Sequence, residues 1–262
     1  MNSCNTTWIS TVTGTGTTWT FSIVKAILSH HKLNVLPETV YKSEEDYFRV
    51  YKENALLDCN SDNYYVLQCH AALALYLIQA RCKVITNVRN PYDNCASHYE
   101  FMKCDVGRAI TNAKHIPLLI NHYSKLDKEQ KFLLRYEDID EKPVDLIQRI
   151  AEFLGFPLDG LIAEALAYKY SRDNVKKMIA NNEIALHKKV LAGEQVSNAE
   201  VVVTAGIDRV GSFDTETGYQ SHHISERKTG EWRSAFSQTE IPRIIEALAE
   251  TAEKLGYKSE TV

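Results

Sequence analysis

The sequence predicts an α/β fold built on a central, largely parallel sheet flanked by helices. Three observations predict it. Short apolar, β-branched runs alternate with longer amphipathic runs along the first 155 residues, the pattern of βα units and not of hairpins. A glycine turn, "VTGTGTTWT" at 12–20, sits between a run of strand character and one of helical period. The run "CKVITNV" at 82–88 reads as a strong strand, β-branched at Val84, Ile85, Thr86 and Val88.

The elements follow in order. Residues 8–12 read as a strand and 17–30 as a helix, with Trp19, Phe21, Ile23, Val24, Ile27 and Leu28 at helical period. "KLNVLP" reads as a second strand stopped by Pro37, and "EDYFRVYKENALL" as a helix. "NYYVLQC" is β-rich and is expected to lead into a helix over "HAALALYLIQA". After the strand at 82–88 come a turn and a helix in "RNPYDNCASHYEFMK", a helix in "IPLLINHYSKL", and a strand in "KFLLRYEDI". "VDLIQRIAEFLGF" is an amphipathic helix stopped near Gly155 and Pro157. Two helical stretches then lead to "EVVVTAGIDRVGSFDTETGYQSHHIS". The segment 190–226 is expected to be a long loop or lid of the kind that is often functional. "PRIIEALAETAEKLGY" closes the chain as a helix. No repeat or linker divides it, so residues 1–262 are read as one domain.

Composition narrows the function. The 262 residues are 44% apolar and 24% charged with a net charge of −4. That gives no general attraction to nucleic acid or to an anionic membrane. Six cysteines, Cys4, Cys59, Cys69, Cys82, Cys95 and Cys104, show neither a CxxC pair nor metal-ligand spacing. The expectation is reduced thiols, a cytoplasmic protein and no metal. No signal-peptide pattern opens the chain, and the longest apolar run, "AALALYLI", is too short to span a bilayer.

In parallel sheets ligands gather at the carboxyl ends of strands. Four elements fall there: the turn at 13–19, Gln68 to His70, Arg89 onward, and Tyr136. Gly14 and Gly16 permit unusual φ, and the free N–H groups of residues 15–18 can converge on an anion at a helix N-terminus. A Walker A loop would need lysine after Gly16, where Thr17 stands; a dinucleotide fingerprint would need glycine where Trp19 stands. The turn therefore suits a phosphate, or it is a plain glycine turn capped by threonine.

Three further stretches join it: "KVITNVRNPYDNCASHYEF" at 83–101, "FLLRYEDIDEKPVDLIQRIAEFLGFPL" at 132–158 and "RKTGEWR" at 227–233. With "TGTGTTW" they resemble, in order, the four motifs of sulfotransferases that use 3′-phosphoadenosine-5′-phosphosulfate (PAPS). The resemblance implies a P-loop-like three-layer fold and a sulfuryl transfer that needs no metal. It implies that Thr15, Gly16, Thr17 and Thr18 hold the 5′-phosphate and that Trp19 stacks on the adenine. It places Arg89 and Ser97 on the 3′-phosphate, joined by Arg227 and Lys228 from the late loop, with Tyr136 near the adenine. His70, in Q-C-H where cytosolic relatives carry K-T-H, is implied as general base, with His222 and His223 as the nearest rivals.

Two departures stand out: Gly14 occupies the place of the family's turn lysine, and Gln68 the place of a second. The missing charge is expected to be covered by backbone amides, by a cationic acceptor, or by Lys25 or Arg209 folding back. The expected partner is a small-molecule acceptor with a hydroxyl or amine, in a pocket built from 36–66, 98–125 and 190–226. Glu38, Glu44, Glu45, Asp46, Asp58 and Asp62, with Tyr41, Tyr47, Phe48, Tyr64 and Tyr65, suggest a polar or cationic acceptor, such as a guanidinium-bearing alkaloid toxin of cyanobacterial type. The alternatives are a catalytically impaired nucleotide-binding protein on the same fold and a nucleotide kinase. Oligomeric state is not legible.

Overall fold

The computed structural model describes residues 5–56, 58, 62–75, 78, 82–203 and 210–260. Five strands form one parallel sheet: β1 (Asn5–Ser10), β2 (Asn34–Leu36), β3 (Asn63–Cys69), β4 (Cys82–Val88) and β5 (Lys131–Arg135), in the order β2-β3-β1-β4-β5. β1 lies between β3, pairing Asn5 with Tyr64 and Ser10 with Cys69, and β4, pairing Thr6 with Cys82 and Ile9 with Ile85. Both of its faces are covered, so Trp8 and Ile9 are buried whichever way they point.

The chain leaves β1 toward β3 and β2, and later returns to the other side of β1 through β4. That reversal between β1 and β4 is where an open parallel sheet forms a ligand crevice. Two helices begin at its mouth: α1 (Thr17–His30) after β1 and α3 (Pro91–Met102) after β4. Pro91 is tolerated at the first helical position because its missing N–H would be unpaired there anyway, and Asn90 caps the helix through the Tyr92 N–H.

Around the sheet lie α2 (Glu44–Val50), continued by one wide turn over Tyr51–Ala55, α4 (Val106–Tyr123), α5 (Glu137–Glu141) and α6 (Pro143–Leu154). Then come α7 (Gly160–Lys169), α8 (Arg172–Leu191) and α9 (Ile241–Lys254). α6 ends where Gly155 adopts φ 89° and its N–H closes on the Ala151 carbonyl, the stop expected there. α4 begins ten residues before the segment read as helical, at an Asp105 cap. Its Pro117 lies inside the helix and made the earlier half hard to join to the later one. A second apolar cluster, including Tyr92, Ala109, Trp232, Ile244 and Leu248, packs α3 against α4, α9 and the late loop.

Two expectations change. The helix expected over 70–80 is not formed in its described part. Backbone groups of 71–73 pair with side chains instead: Ser10 Oγ donates to the Ala71 carbonyl, the Leu73 N–H donates to Tyr123 Oη, and His122 meets the Leu73 carbonyl. Residues 76, 77, 79 and 80 of that segment lie outside the described residues. The segment 190–226 is not one loop. α8 runs to Leu191, and β6 (Val201–Val203) pairs antiparallel with β7 (Val210–Ser212). Residues 213–220 close on themselves through a Phe213–Gln220 bridge. Cys4, Cys59 and Arg209 lie outside the described residues. Burial pushes the Cys69 and Cys95 thiols up to about 12, leaving both inert.

Candidate active site

The glycine turn is held by its carbonyls. The Thr13 carbonyl accepts from Asn94 Nδ2 (2.8 Å) and Asn112 Nδ2 (3.0 Å), the Gly14 carbonyl from Arg89 Nη1 (2.6 Å), and the Thr15 carbonyl from Asn87 Nδ2 (2.9 Å). With the oxygens drawn to one side, the N–H groups that open α1 are left to the other. Gly16, at φ 91°, is the residue before the helix, and no side chain caps it. The first-turn N–H groups of a helix have no intrahelical partner and carry favourable partial charge toward an anion.

Thr15 is part of the frame. It is fully buried, and its N–H and hydroxyl both donate to the Val12 carbonyl, at 3.3 and 2.7 Å. Of the five turn residues singled out in the sequence, Gly16, Thr17, Thr18 and Trp19 line the cavity, and Thr15 does not. Thr17 Oγ1 shares a 2.6 Å hydrogen bond with Thr11, and Trp19 Nε1 donates to the Tyr170 carbonyl at 3.2 Å.

The cavity has a volume of about 450 Å³ and also takes in Gln68, His70, Arg89, Ser97 and Tyr136. The Arg89 guanidinium lies 3.9 Å over the Tyr136 ring, and its buried Nε has no partner. An orphaned guanidinium nitrogen beside the turn is suited to an anionic oxygen. Arg227 and Lys228 are not among the lining residues. Arg227 is paired at 2.5 Å with Glu100 on α3, and Lys228 is exposed. Their loop is nevertheless pinned beside the site. Asp93 accepts from the Gly230 N–H at 2.9 Å, and Tyr92 stacks on Trp232 at 5.1 Å. These contacts join the segments at 89–97 and 227–233, a role for Asp93 and Trp232 that neither segment shows alone.

His70 is exposed at the end of β3. Its N–H donates to Glu44 Oε1 at 2.8 Å, and Nδ1 lies 3.0 Å from the Thr11 carbonyl. A carbonyl only accepts, so Nδ1 carries the proton and Nε2 keeps its lone pair. Two more imidazoles line the same cavity. His98, one residue past Ser97, is buried with Nδ1 unpartnered; His223 places Nε2 3.3 Å from Thr18 Oγ1 and has its own Nδ1 closed off from solvent. Desolvation holds both near 4, below the usual histidine value, so they are neutral at pH 7. Its rival His222 does not line the cavity.

Val40, Tyr41, Lys42, Phe101, Met102 and Phe213 belong to the rest of the wall. The pocket thus draws on all three predicted segments, but the six acids do not line it. Glu44 holds His70, Asp46 pairs with Arg49, and Asp58 accepts from Asn63 and Tyr65. Of the named aromatics only Tyr41 reaches it. Asp140 is the lining acid among the described residues. Lys42 and Arg172 line it too, each already donating to backbone carbonyls: Lys42 to Asn198 and Val201, Arg172 to Ser225 and Arg227. Lys25 does not fold back toward the turn, for its ammonium donates to the Glu38 carbonyl at 2.9 Å. Gly14 lines the cavity, but a Cβ on it, at φ 85°, would lie 3.1 Å from Asn94 Nδ2 and 3.5 Å from Ser97 Oγ.

No cluster of metal-binding side chains occurs among the described residues, and no helix there is long and apolar enough to cross a membrane. The chain is 22% identical to human Sulfotransferase 6B1 over 262 aligned positions, covering 87% of this chain and 75% of that one. Its fold matches mouse sulfotransferase SULT7A1 complexed with PAP (TM-score 0.61, 13% identity, 95% of this chain and 85% of that one). It also matches retinol dehydratase in complex with androsterone and inactive cofactor PAP (TM-score 0.56, 15% identity, 98% and 82%). The sulfotransferase domain family matches residues 5–256, and the chain belongs to that family of sulfuryl-transfer enzymes.

Proposed function

We propose that this enzyme transfers the sulfuryl group of PAPS to a hydroxyl or amine of a small molecule, with His70 as general base. The observation that carries the reading is the His70 tautomer. Nδ1–H is committed to the Thr11 carbonyl, so Nε2 is the basic atom, on a residue lining the same cavity as the phosphate turn. A neutral imidazole with a free lone pair is a suitable base near pH 7.

The residues present fit the donor. Gly16, Thr17 and Thr18 hold its 5′-phosphate; Arg89 and Ser97 hold its 3′-phosphate; Trp19 and Tyr136 flank its adenine. Arg227 and Lys228 join from the late loop once Arg227 leaves Glu100. The donor supplies an activated sulfuryl group, and adenosine 3′,5′-bisphosphate (PAP) is the product that remains in these contacts. His70 takes the acceptor's proton, and the first-turn amides stabilise negative charge on the departing phosphate.

The acceptor pocket supports a ring-bearing, largely apolar molecule over the cationic one suggested by the sequence. Its wall combines Phe101, Met102, Phe213, Val202 and Ile224 with neutral imidazoles, and the acids expected there point elsewhere. The test is sulfuryl transfer from radiolabelled PAPS across a panel of phenols, alcohols and amines, in the wild type and in His70→Ala. Labelled product with the wild type and not with the mutant is expected. Binding of PAP with no transfer to any class would support the impaired nucleotide-binding reading; ATP-dependent phosphorylation would support the kinase.

A further inference from the structure

We propose that His223 takes over part of the work of the turn lysine this chain lacks, by holding the Thr18 hydroxyl so that its proton faces the donor's 5′-phosphate. This rests on the donor assignment above. The geometry is specific. His223 Nε2 lies 3.3 Å from Thr18 Oγ1, and Thr18 is in the first turn of α1, the turn that faces the anion. The imidazole is clamped, stacked on Phe101 at 5.4 Å and edge-on to Tyr219 at 5.8 Å. Its Nδ1 is closed off with no partner, so the contact to Thr18 is its polar anchor among the described residues.

Proton counting sets the direction of the bond. His223 is neutral, because desolvation and the neighbouring His70 hold it near 4, and a neutral imidazole has one N–H and one lone pair. The threonine hydroxyl has one proton. Without an anion the bond can run either way. An anionic phosphate oxygen only accepts, so with it at the turn the single Thr18 proton goes to phosphate. Thr18 Oγ1 is then left to accept, and His223 must present Nε2–H to it. The chain Nε2–H to Oγ1–H to phosphate oxygen polarises the hydroxyl and strengthens its bond to the anion. A lysine would bring a charge to this place; the relay brings an aligned pair of dipoles, which needs no side chain at Gly14. His223 does not touch the reacting atoms, and it acts as a positioning residue through Thr18. Sequence order could not show this, since the two residues are 205 positions apart.

The test uses PAP, which carries the same 5′-phosphate and needs no acceptor. Histidine ¹⁵N spectra of the PAP-loaded enzyme, with the signal assigned by His223→Gln, should show the Nε2–H tautomer at His223. The Nδ1–H tautomer would overturn the proposal. PAP dissociation constants supply a second readout. His223→Ala and Thr18→Val should each weaken PAP about 3–10-fold, the scale of one hydrogen bond. The double mutant should be no weaker than the worse single mutant within about twofold, because one relay is lost only once. His223→Gln, whose amide N–H can replace Nε2–H, should recover to within about threefold of wild type. Additive losses, or a glutamine variant as weak as alanine, would overturn the relay. A wild type that does not bind PAP at all would instead overturn the donor assignment.

Discussion

Gly14→Lys puts back the side chain that sulfotransferases of this type carry in the phosphate turn, and the structure predicts that it will not help. Gly14 has φ 85°, a conformation that costs a residue with a Cβ about 1–2 kcal/mol. The new Cβ would lie 3.1 Å from Asn94 Nδ2. Asn94 cannot yield freely, because that nitrogen donates to the Thr13 carbonyl and its Oδ1 accepts from Asn112. Losing one such bond adds about 0.5–1.5 kcal/mol. The sum is about 1.5–3.5 kcal/mol, or roughly 3–14 °C of melting temperature in a domain of this size. The assay is thermal melting with and without PAP. Gly14→Ala should lose nearly as much as Gly14→Lys, since the cost arises at Cβ, and neither should gain affinity for PAP. A lysine variant that melts within about 2 °C of wild type and binds PAP more tightly would refute the argument.

Other outcomes follow from the site. Arg89→Ala should weaken PAP by about 10–100-fold, the range for a charged hydrogen bond to phosphate, and should leave adenosine 5′-phosphate within a few-fold; calorimetric titration of both nucleotides checks it. His70→Ala should lower kcat by about 10²–10⁴ with PAP affinity nearly unchanged, so retention of a tenth of wild-type kcat would remove His70 as base. Glu100→Gln should release Arg227 and tighten PAP by about fivefold at low salt, on the scale of about 1 kcal/mol for a partly exposed pair, and the gain should vanish in an Arg227→Ala background. His98 should make the fold acid-sensitive. Its folded pKa of about 4 lies below the unfolded value of 6.5, so the unfolded chain binds more protons between those values and stability falls as pH drops through that window. Melting followed from pH 7 to pH 4 should show a shallower decline in His98→Gln.

The parallel sheet was legible because its signals are local. Apolar runs of strand length, amphipathic runs of helix length and the stop at Gly155 each sit within a dozen residues. The strands at 63–69, 82–88 and 131–135 and the stop at Gly155 appear where expected, while β1 spans 5–10 and not 8–12, and α4 starts ten residues early. The misreadings have a common cause. "HAALALYLIQA" has helical composition, but Ser10, His122 and Tyr123, distant in sequence, take the backbone groups of 71–73 that a helix would have used. The six acids formed a persuasive cluster in one dimension, yet none of them lines the cavity once the chain is folded, and Glu44, Asp46 and Asp58 are held by partners of their own.

The chemistry of the site divides along the same line. The sequence by itself determined that the glycine turn, Arg89 with Ser97, and His70 gather at the ends of strands, since each depends on a strand end and the few residues that follow it. Only the tertiary structure decided what those residues can do. The tautomer of His70 depends on a carbonyl 59 positions away. The withdrawal of Thr15 into the frame depends on the packing of its turn, and the pairing of Arg227 with Glu100 on a helix that precedes it by 127 positions. The contact of His223 with Thr18 depends on a chain that returns over the site near its end. A hydrogen bond is made over about 3 Å, and residues this far apart in sequence come within that distance only once the chain between them has folded.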